Sequence, residues 1–315
     1  MKWVYTSQRK EYANALVEIG KSRTDVVVLD GDLSSSTRTV EFAKKFPERF
    51  FNVGIAEQNL MGTAAGLAVS GKTVFASTFA VFATGRCWDQ IRQSIAYPSV
   101  NVKIVATHAG ITVGGDGATH QALEDIALMR TLPHMCVLVP ADGIEAYKAV
   151  KAAADHEGPC YVRLGRGDVP MVTTMDSPFT IGKATILREG TDVTLVSCGQ
   201  MVSVCMDAAE ELQKSGISAE VVNMSTIKPL DENTLLRSVK KTGCVVTAEE
   251  HSIESGLGSA VGTTLGEHYP APMKRVGTPD CFGESGESDD LMRRYGLTAE
   301  KVVASAEEVI RRKQT

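Results

Sequence analysis

The 315-residue sequence has no basic excess: 33 Lys and Arg stand against 38 Asp and Glu, for a formal net charge of −5. A chain that tracks a phosphate backbone needs the opposite balance, so the composition argues against a nucleic-acid binder. Small anionic substrates stay open, because a few local arginines suffice for them. No uninterrupted apolar run reaches the ~18 residues of a membrane span, and the opening MKWVYTSQRK lacks the apolar stretch of a signal peptide. Cysteine is sparse. The seven are odd in number and scattered, and no C-x-x-C pair occurs, which gives no support to a zinc ribbon or a dithiol redox motif. Most read as small buried hydrophobes in a reduced compartment. Phosphate loops are missing too: there is no G-x-x-x-x-G-K-[ST], and the glycines from Gly256 to Gly262 have the wrong spacing for a dinucleotide loop. With 43% hydrophobic and 23% charged residues, a disordered chain is also excluded. The expectation is a soluble cytoplasmic protein of two domains, with no membrane and no nucleic-acid partner.

What is present is a regular alternation. Short β-branched runs at 26–29, 50–53, 73–75, 102–107, 135–139 and 160–163 read as strands. Helical patterns at 8–19, 57–69 and 143–154 lie between them. Continuous apolar strands separated by helices indicate a parallel sheet covered on both faces. A second series starts at 193–197. It continues through a helix with Met201, Val204, Cys205, Ala208 and Leu212 on one face, a strand at 219–223, a helix from Asp231, a strand at 244–247 and a helix around 258–265. Within the Pro- and Thr-containing interval 168–190, the boundary falls near residue 180, giving domains 1–175 and 186–315 with a linker at 176–185.

Open parallel sheets bind ligands beyond the carboxyl ends of their strands. The polar segments of this sequence fall there: Asp30-Gly31-Asp32-Leu33-Ser34-Ser35-Ser36 after the first strand, Gly54-Ile55-Ala56-Glu57 after the second, His108 and then Asp116 to Gln121 after the fourth, and Gly165-Arg166-Gly167 after the last. Taken singly, each has a plainer explanation. Glu57 suits the first turn of a helix, Asp32 a turn or cap, Phe79 and Phe82 a core, the histidines a core or surface, and Arg163 and Arg166 the surface. His108, Asp116 and His120 could also suggest a metal, but no H-E-x-x-H-type spacing supports one. Their common position at strand ends is what favours a site.

The blocks Asn52-Val53-Gly54-Ile55-Ala56-Glu57-Gln58-Asn59, Ser77-Thr78-Phe79, Ala106-Thr107-His108, Asp116-Gly117-Ala118-Thr119-His120-Gln121, Pro140-Ala141-Asp142 and Thr226-Ile227-Lys228-Pro229-Leu230-Asp231 resemble the C-terminal half of transketolase, in order and over essentially the whole chain. The resemblance implies an α/β fold: a pyrimidine-binding domain with a parallel sheet, followed by a smaller α/β C-terminal domain. It further implies thiamine diphosphate as cofactor and transfer of a two-carbon ketol unit from a ketose phosphate to an aldose phosphate. Glu57 matches the glutamate that hydrogen-bonds the aminopyrimidine ring nitrogen, where a carboxyl group stabilises the imino tautomer. By the same matching, Phe79 and Phe82 line the pyrimidine pocket, and Asp32 and Leu33 lie near the cofactor, with Leu33 an apolar support for its bent form. His108, Asp116 and His120 contact the hydroxyls and carbonyl of the sugar, His120 being the second catalytic residue beside Glu57. Arg166 and Ser36 hold the sugar phosphate. Two departures bear on substrate preference. The third pocket aromatic is Gly85 here, with Trp88 a nearby candidate to compensate, and Gly115 stands where the family often has Glu.

The family's other half binds diphosphate and Mg²⁺ through G-D-G and an Asn about thirty residues later. Here Gly115-Asp116-Gly117 lies inside the D-G-x-T-H-Q block, and no Asn occurs between Gly117 and Asn223. The resemblance therefore implies no metal ligands on this chain. They are expected on a separate N-terminal, diphosphate-binding subunit, with two copies of each chain in the assembly. Alternatives are the beta subunit of a 2-oxoacid dehydrogenase, which lacks the Asp116 to Gln121 block, a deoxyxylulose-phosphate-synthase-like enzyme, normally one long chain, and a catalytically silent scaffold. A scaffold needs none of Glu57, His108, Asp116, His120 and Arg166. The sugar pair stays open between the pentose phosphate route and a specialised catabolic ketose.

Overall fold

Val26 and Val28 project to one face of their strand and Val27 and Leu29 to the other, and both faces are buried. In the computed structural model, which describes residues 2–313, this two-faced burial organises the first half of the chain. Its strands are β1 (Tyr5–Ser7), β2 (Val26–Asp30), β3 (Phe50–Asn52), β4 (Thr73–Phe79), β5 (Val102–Thr107), β6 (Cys136–Leu138), β7 (Cys160–Arg163) and β8 (Asp168–Pro170). The second half contributes β9 (Thr185–Arg188), β10 (Val193–Ser197), β11 (Ala219–Asn223), β12 (Thr226–Lys228), β13 (Val245–Ser252) and β14 (Met273–Thr278).

The first sheet has seven strands in the order β12-β6-β7-β5-β4-β2-β3, and every pair is parallel except β12 with β6. The helices Gln8–Ser22 and Gly143–Asp155 cover one face, burying Tyr12, Leu16, Ala146 and Val150 against Phe75 and Val105. The helix Glu57–Val69 and the wide π-type turns Phe82–Arg86 and Ile91–Ala96 cover the other. The second sheet, β14-β13-β10-β11-β9, is parallel except for the edge strand β9. Two helices start at a capping side chain: Asp142 accepts the amide of Glu145 at 2.9 Å, and Asp231 that of Thr234 at 3.1 Å. Among the described residues, no helix is long and apolar enough to cross a membrane.

Two expectations need correction, and one strand crosses between the halves. The third strand does not stop at residue 75: it runs to Phe79, because Ser77 and Thr78 pair in register with Val105 and Ala106 and are buried. The interval 168–190 is not all linker. Asp168–Pro170 pairs antiparallel with β1, and β9 opens at Thr185, the last residue of the expected linker. The crossing strand is β12, which opens the Thr226 block. Thr226 pairs with Leu138, and the backbone amide of Val139 donates to Ser225 O at 2.7 Å, so a strand from the second half finishes the edge of the first sheet. Asn223 Nδ2 donates to Glu145 Oε1 at 2.8 Å beside this crossing.

Candidate active site

β2, β4, β5 and β7 all end on one rim, and the candidate residues lie there. Asp30, the fully buried last residue of β2, accepts from the Leu33 amide at 2.6 Å and from the hydroxyls of Thr37 and Thr39 at 2.7 and 2.8 Å. That carboxylate pins the turn carrying Asp32, Leu33 and Ser36. Asp32, in the left-handed region at φ +66°, accepts from Asn52 Nδ2 at 2.9 Å, and the other end of that amide, Oδ1, accepts from the Gly54 amide. The turn is thereby tied to the segment leading into Glu57.

Glu57 opens its helix, where the aligned peptide dipoles favour a carboxylate. It is only 3% exposed. Arg86 Nη1 donates to its Oε1 at 2.8 Å and lies over the Phe82 ring, 4.7 Å from the centroid. Oε2 has no partner among the described residues. Phe79 stacks on His108 with ring centroids 3.8 Å apart and on Phe82 at 5.8 Å, and His120 meets Phe82 edge-on at 5.3 Å. Two phenyl rings and two imidazoles therefore form one cluster, with the Glu57–Arg86 pair at its edge.

His108 is pushed down to about 3, by burial first and then by Arg9, Arg166 and His120, so its imidazole is neutral at neutral pH. Nδ1 shares a 2.8 Å hydrogen bond with the Thr107 hydroxyl. Cations gather beyond it. Arg166 Nη1 lies 3.7 Å from Asp116 Oδ2, and Arg166 also donates to Val113 O. Arg9 Nη1 donates to the carbonyl of Ser36 at 2.9 Å. Burial, then Arg38 and Arg166, lower the Arg9 pKa, a sign of guanidinium charges sharing one locality. An anion is a suitable partner for such a cluster of guanidinium groups.

The structure thus brings Glu57, Phe79, Phe82, His108 and His120 together, and places Ser36, Asp116 and Arg166 on the same rim. Sequence reasoning missed Arg9 and Arg86. Arg9 lies in the first turn of a helix after β1, far in sequence from Ser36 and Arg166, and no strand-end rule points to it. Two other readings change. Arg163 is not a surface charge: it is 6% exposed and its Nε donates to Asp125 Oδ2 at 2.7 Å. Trp88 packs on the core and donates to Leu128 O at 3.0 Å, which commits it to the scaffold. The cysteines are free thiols, and all but the exposed Cys281 are buried. Among the described residues, no group of three or more His, Cys, Asp or Glu side chains is placed to hold a metal ion.

The sequence matches two family models: the transketolase pyrimidine-binding domain over residues 5–172 and the transketolase C-terminal domain over residues 182–302. The chain belongs to the transketolase family. It is 49% identical over 302 residues to a transketolase C-terminal section of Methanocaldococcus jannaschii, covering 95% of each chain. It is 45% identical to a 6-deoxy-6-sulfo-D-fructose transketolase subunit of a Clostridium species, covering 97% of this chain and 95% of that one. Among solved structures, a split gene transketolase described as an inactive beta4 tetramer superposes with a TM-score of 0.91 at 54% identity, over 97% of this chain and 98% of that one. The family's two-domain α/β architecture is the one described above, and its relatives include subunits of split transketolases.

The family typically uses thiamine diphosphate, and the donor set fits its aminopyrimidine end. A nearly buried carboxylate with one unpartnered oxygen can meet the polar edge of that ring, and Phe79 and Phe82 offer an aromatic wall to its face.

Proposed function

We propose that this chain is the pyrimidine-binding subunit of a thiamine-diphosphate-dependent transketolase, moving a two-carbon ketol unit from a ketose with an anionic tail to an aldose phosphate. The observation that carries the reading is the coexistence on one rim of the Glu57 carboxylate beside aromatic rings and of the Arg9 and Arg166 guanidinium groups beyond His108. Bound thiamine diphosphate would supply the stabilised carbanion on which ketol transfer depends. Glu57 holds the proton at the pyrimidine ring nitrogen, and Phe79 and Phe82 pack the ring and exclude water. Asp32 and Leu33 border the same pocket, Leu33 on the apolar side. Neutral His108, His120 and Asp116 hydrogen-bond the sugar's carbonyl and hydroxyls, His120 moving a proton at the reacting oxygen. Arg166, Arg9 and the Ser36 turn hold the anionic tail. The Clostridium relative's substrate, a sulfonated fructose, also carries an anion at that end and supports this assignment.

Diphosphate and Mg²⁺ belong, in this reading, to a separate N-terminal subunit, two copies of each chain forming the assembly in the cytoplasm. The description of a related beta-chain tetramer as inactive supports the need for a partner. Reconstitution tests the proposal. The chain is mixed with its candidate partner, thiamine diphosphate, Mg²⁺, a ketose phosphate and an aldose phosphate. Transfer should require both chains and disappear in Glu57→Ala, an outcome a silent scaffold could not give. Full activity with this chain alone would refute the divided enzyme.

A further inference from the structure

The loop that carries Asp116 and His120 has little to hold itself in place. It is a six-residue 3₁₀ turn, Ile111–Asp116, broken by the non-helical backbone of Gly114, followed by a few internal bonds such as the Gly117 amide to Gly114 O. A segment reading Gly114-Gly115-Asp116-Gly117 loses much conformational freedom on being fixed. Arg166 of the first half donates to Val113 O and pairs with Asp116, but the other anchors come from the second half of the chain, and most of them meet at one residue. The Thr112 amide and hydroxyl both donate to Glu250 Oε1, at 2.7 and 2.8 Å. The same hydroxyl accepts from Gln200 Nε2 at 3.2 Å, and the Thr112 carbonyl accepts from the Ser288 hydroxyl at 2.9 Å. Every polar atom of Thr112 is thus held by the second domain, from three separate segments of it.

The far end of the loop is tied in the same way. Gln121, buried, donates through Nε2 to Glu284 O at 2.9 Å and to Ile111 O at 3.1 Å. The backbones approach closely: a Cβ on Gly110 would fall 2.2 Å from the Glu250 carboxyl, and one on Gly117 2.5 Å from Ser285 Oγ. Glu250 is itself fixed. It is 5% exposed, and its main-chain carbonyl accepts from Arg163 Nη2 at 2.9 Å.

From this geometry we infer that the second domain is a positioning element of the active site: through Glu250, Gln200 and Ser288 it clamps Thr112 and so fixes the loop that presents Asp116 and His120. Glu250 and Thr112 are positioning residues and touch no reacting atom. The clamp itself follows from the hydrogen bonds; its catalytic consequence rests on the transketolase reading.

Amide hydrogen exchange on the full chain, without cofactor or partner, tests the clamp. Glu250→Ala should speed exchange of the 112–121 amides about 10-fold or more while β2 and β5 stay protected, and Glu250→Gln, which keeps an acceptor at Oε1, should restore the wild-type pattern. Thr112→Val removes only the hydroxyl contacts and should loosen the same segment. It decides the matter alone if Glu250→Ala fails to fold. Unchanged loop protection, or a rise spread evenly over both sheets, overturns the clamp. In the reconstituted complex with fructose 6-phosphate as donor, Thr112→Val should lower kcat/KM for the ketose about 10-fold and leave half-saturation by thiamine diphosphate unchanged. A loosened loop with wild-type ketose kinetics overturns the positioning role. If the wild-type complex transfers no ketol unit, the functional reading falls and the exchange result still judges the clamp.

Discussion

Removing the Asp125 carboxylate is the sharpest test of how the site's base is held together. Asp125 is fully buried at the start of the helix Asp125–Arg130, and Arg163 ends β7. Asp125 Oδ2 accepts from Arg163 Nε and from the Tyr161 hydroxyl, each at 2.7 Å. In Asp125→Ala the guanidinium stays buried without its hydrogen-bonded carboxylate, leaving only the more distant Glu250 as a counter-charge, and the tyrosine loses its acceptor. Breaking a buried pair from one side costs about 3–5 kcal/mol. At about 2–4 °C per kcal/mol for a domain of this size, Tm should fall by about 6–20 °C. Asp125→Leu combined with Arg163→Met removes both charges and should recover to within about 2 kcal/mol of wild type, the remaining cost being the Tyr161 hydroxyl without its acceptor and the carbonyls of Ala122 and Glu250 that Arg163 no longer serves. The assay is thermal and urea unfolding of the chain followed by circular dichroism. The sign with pH is fixed as well. Burial raises the Asp125 pKa, but the Arg163 charge, the neighbouring His251 and the hydrogen bonds from Arg163 and Tyr161 outweigh it, so the folded value is lowered. The contribution is therefore present above the unfolded value of about 3.9 and is lost on acidification below it. A cost under about 1 kcal/mol for the single substitution, the worth of an exposed ion pair, would refute the reasoning.

Two further outcomes are expected. Arg166→Ala should raise KM for phosphorylated ketoses about 10- to 100-fold, the worth of a charge-assisted hydrogen bond, and leave unphosphorylated ketoses and Tm unchanged, since its pair with Asp116 is half-exposed; equal loss on both substrates would remove it from the anion end. Glu145 sits at the junction of the two sheets, where burial first and then Asp142 push its pKa up to about 7 against hydrogen bonds from the Ala141 amide and Asn223. Because the folded value lies above the unfolded one, its contribution is complete below about pH 4.3 and is lost as pH rises through about 7. The urea midpoint should fall between pH 5 and 8, and Glu145→Gln should flatten that fall; an identical slope in the variant would show that another group titrates there.

The strand-end rule found most of the candidate rim because it depends on local pattern. Continuous apolar strands such as β2 and β5 must be covered on both faces, which leaves only their ends for polar chemistry; His108 and Arg166 follow such ends, and Glu57 follows the exposed edge strand β3 beside them. The rule had nothing to say about Arg9 or Arg86, whose roles depend on partners 27 and 29 residues away. Nor could it separate Arg163 from Arg166. Both stand at the end of the same strand, yet one is sealed beneath the loop with Asp125 and the other faces the open rim.

By itself the sequence determined the alternation of strand and helix, the parallel sheets, the two-domain order and the family, since each is written in short-range periodicity and contiguous blocks. Tertiary structure alone decided which domain finishes which sheet and what holds the loop that carries Asp116 and His120. The pairing of Thr226 with Leu138 and the grip of Glu250 on Thr112 join residues about ninety and about 140 positions apart. Nothing in local propensity encodes such contacts. They exist because an unpaired strand edge and a glycine-rich loop both need hydrogen-bond partners, and only the folded second domain brings those partners within reach.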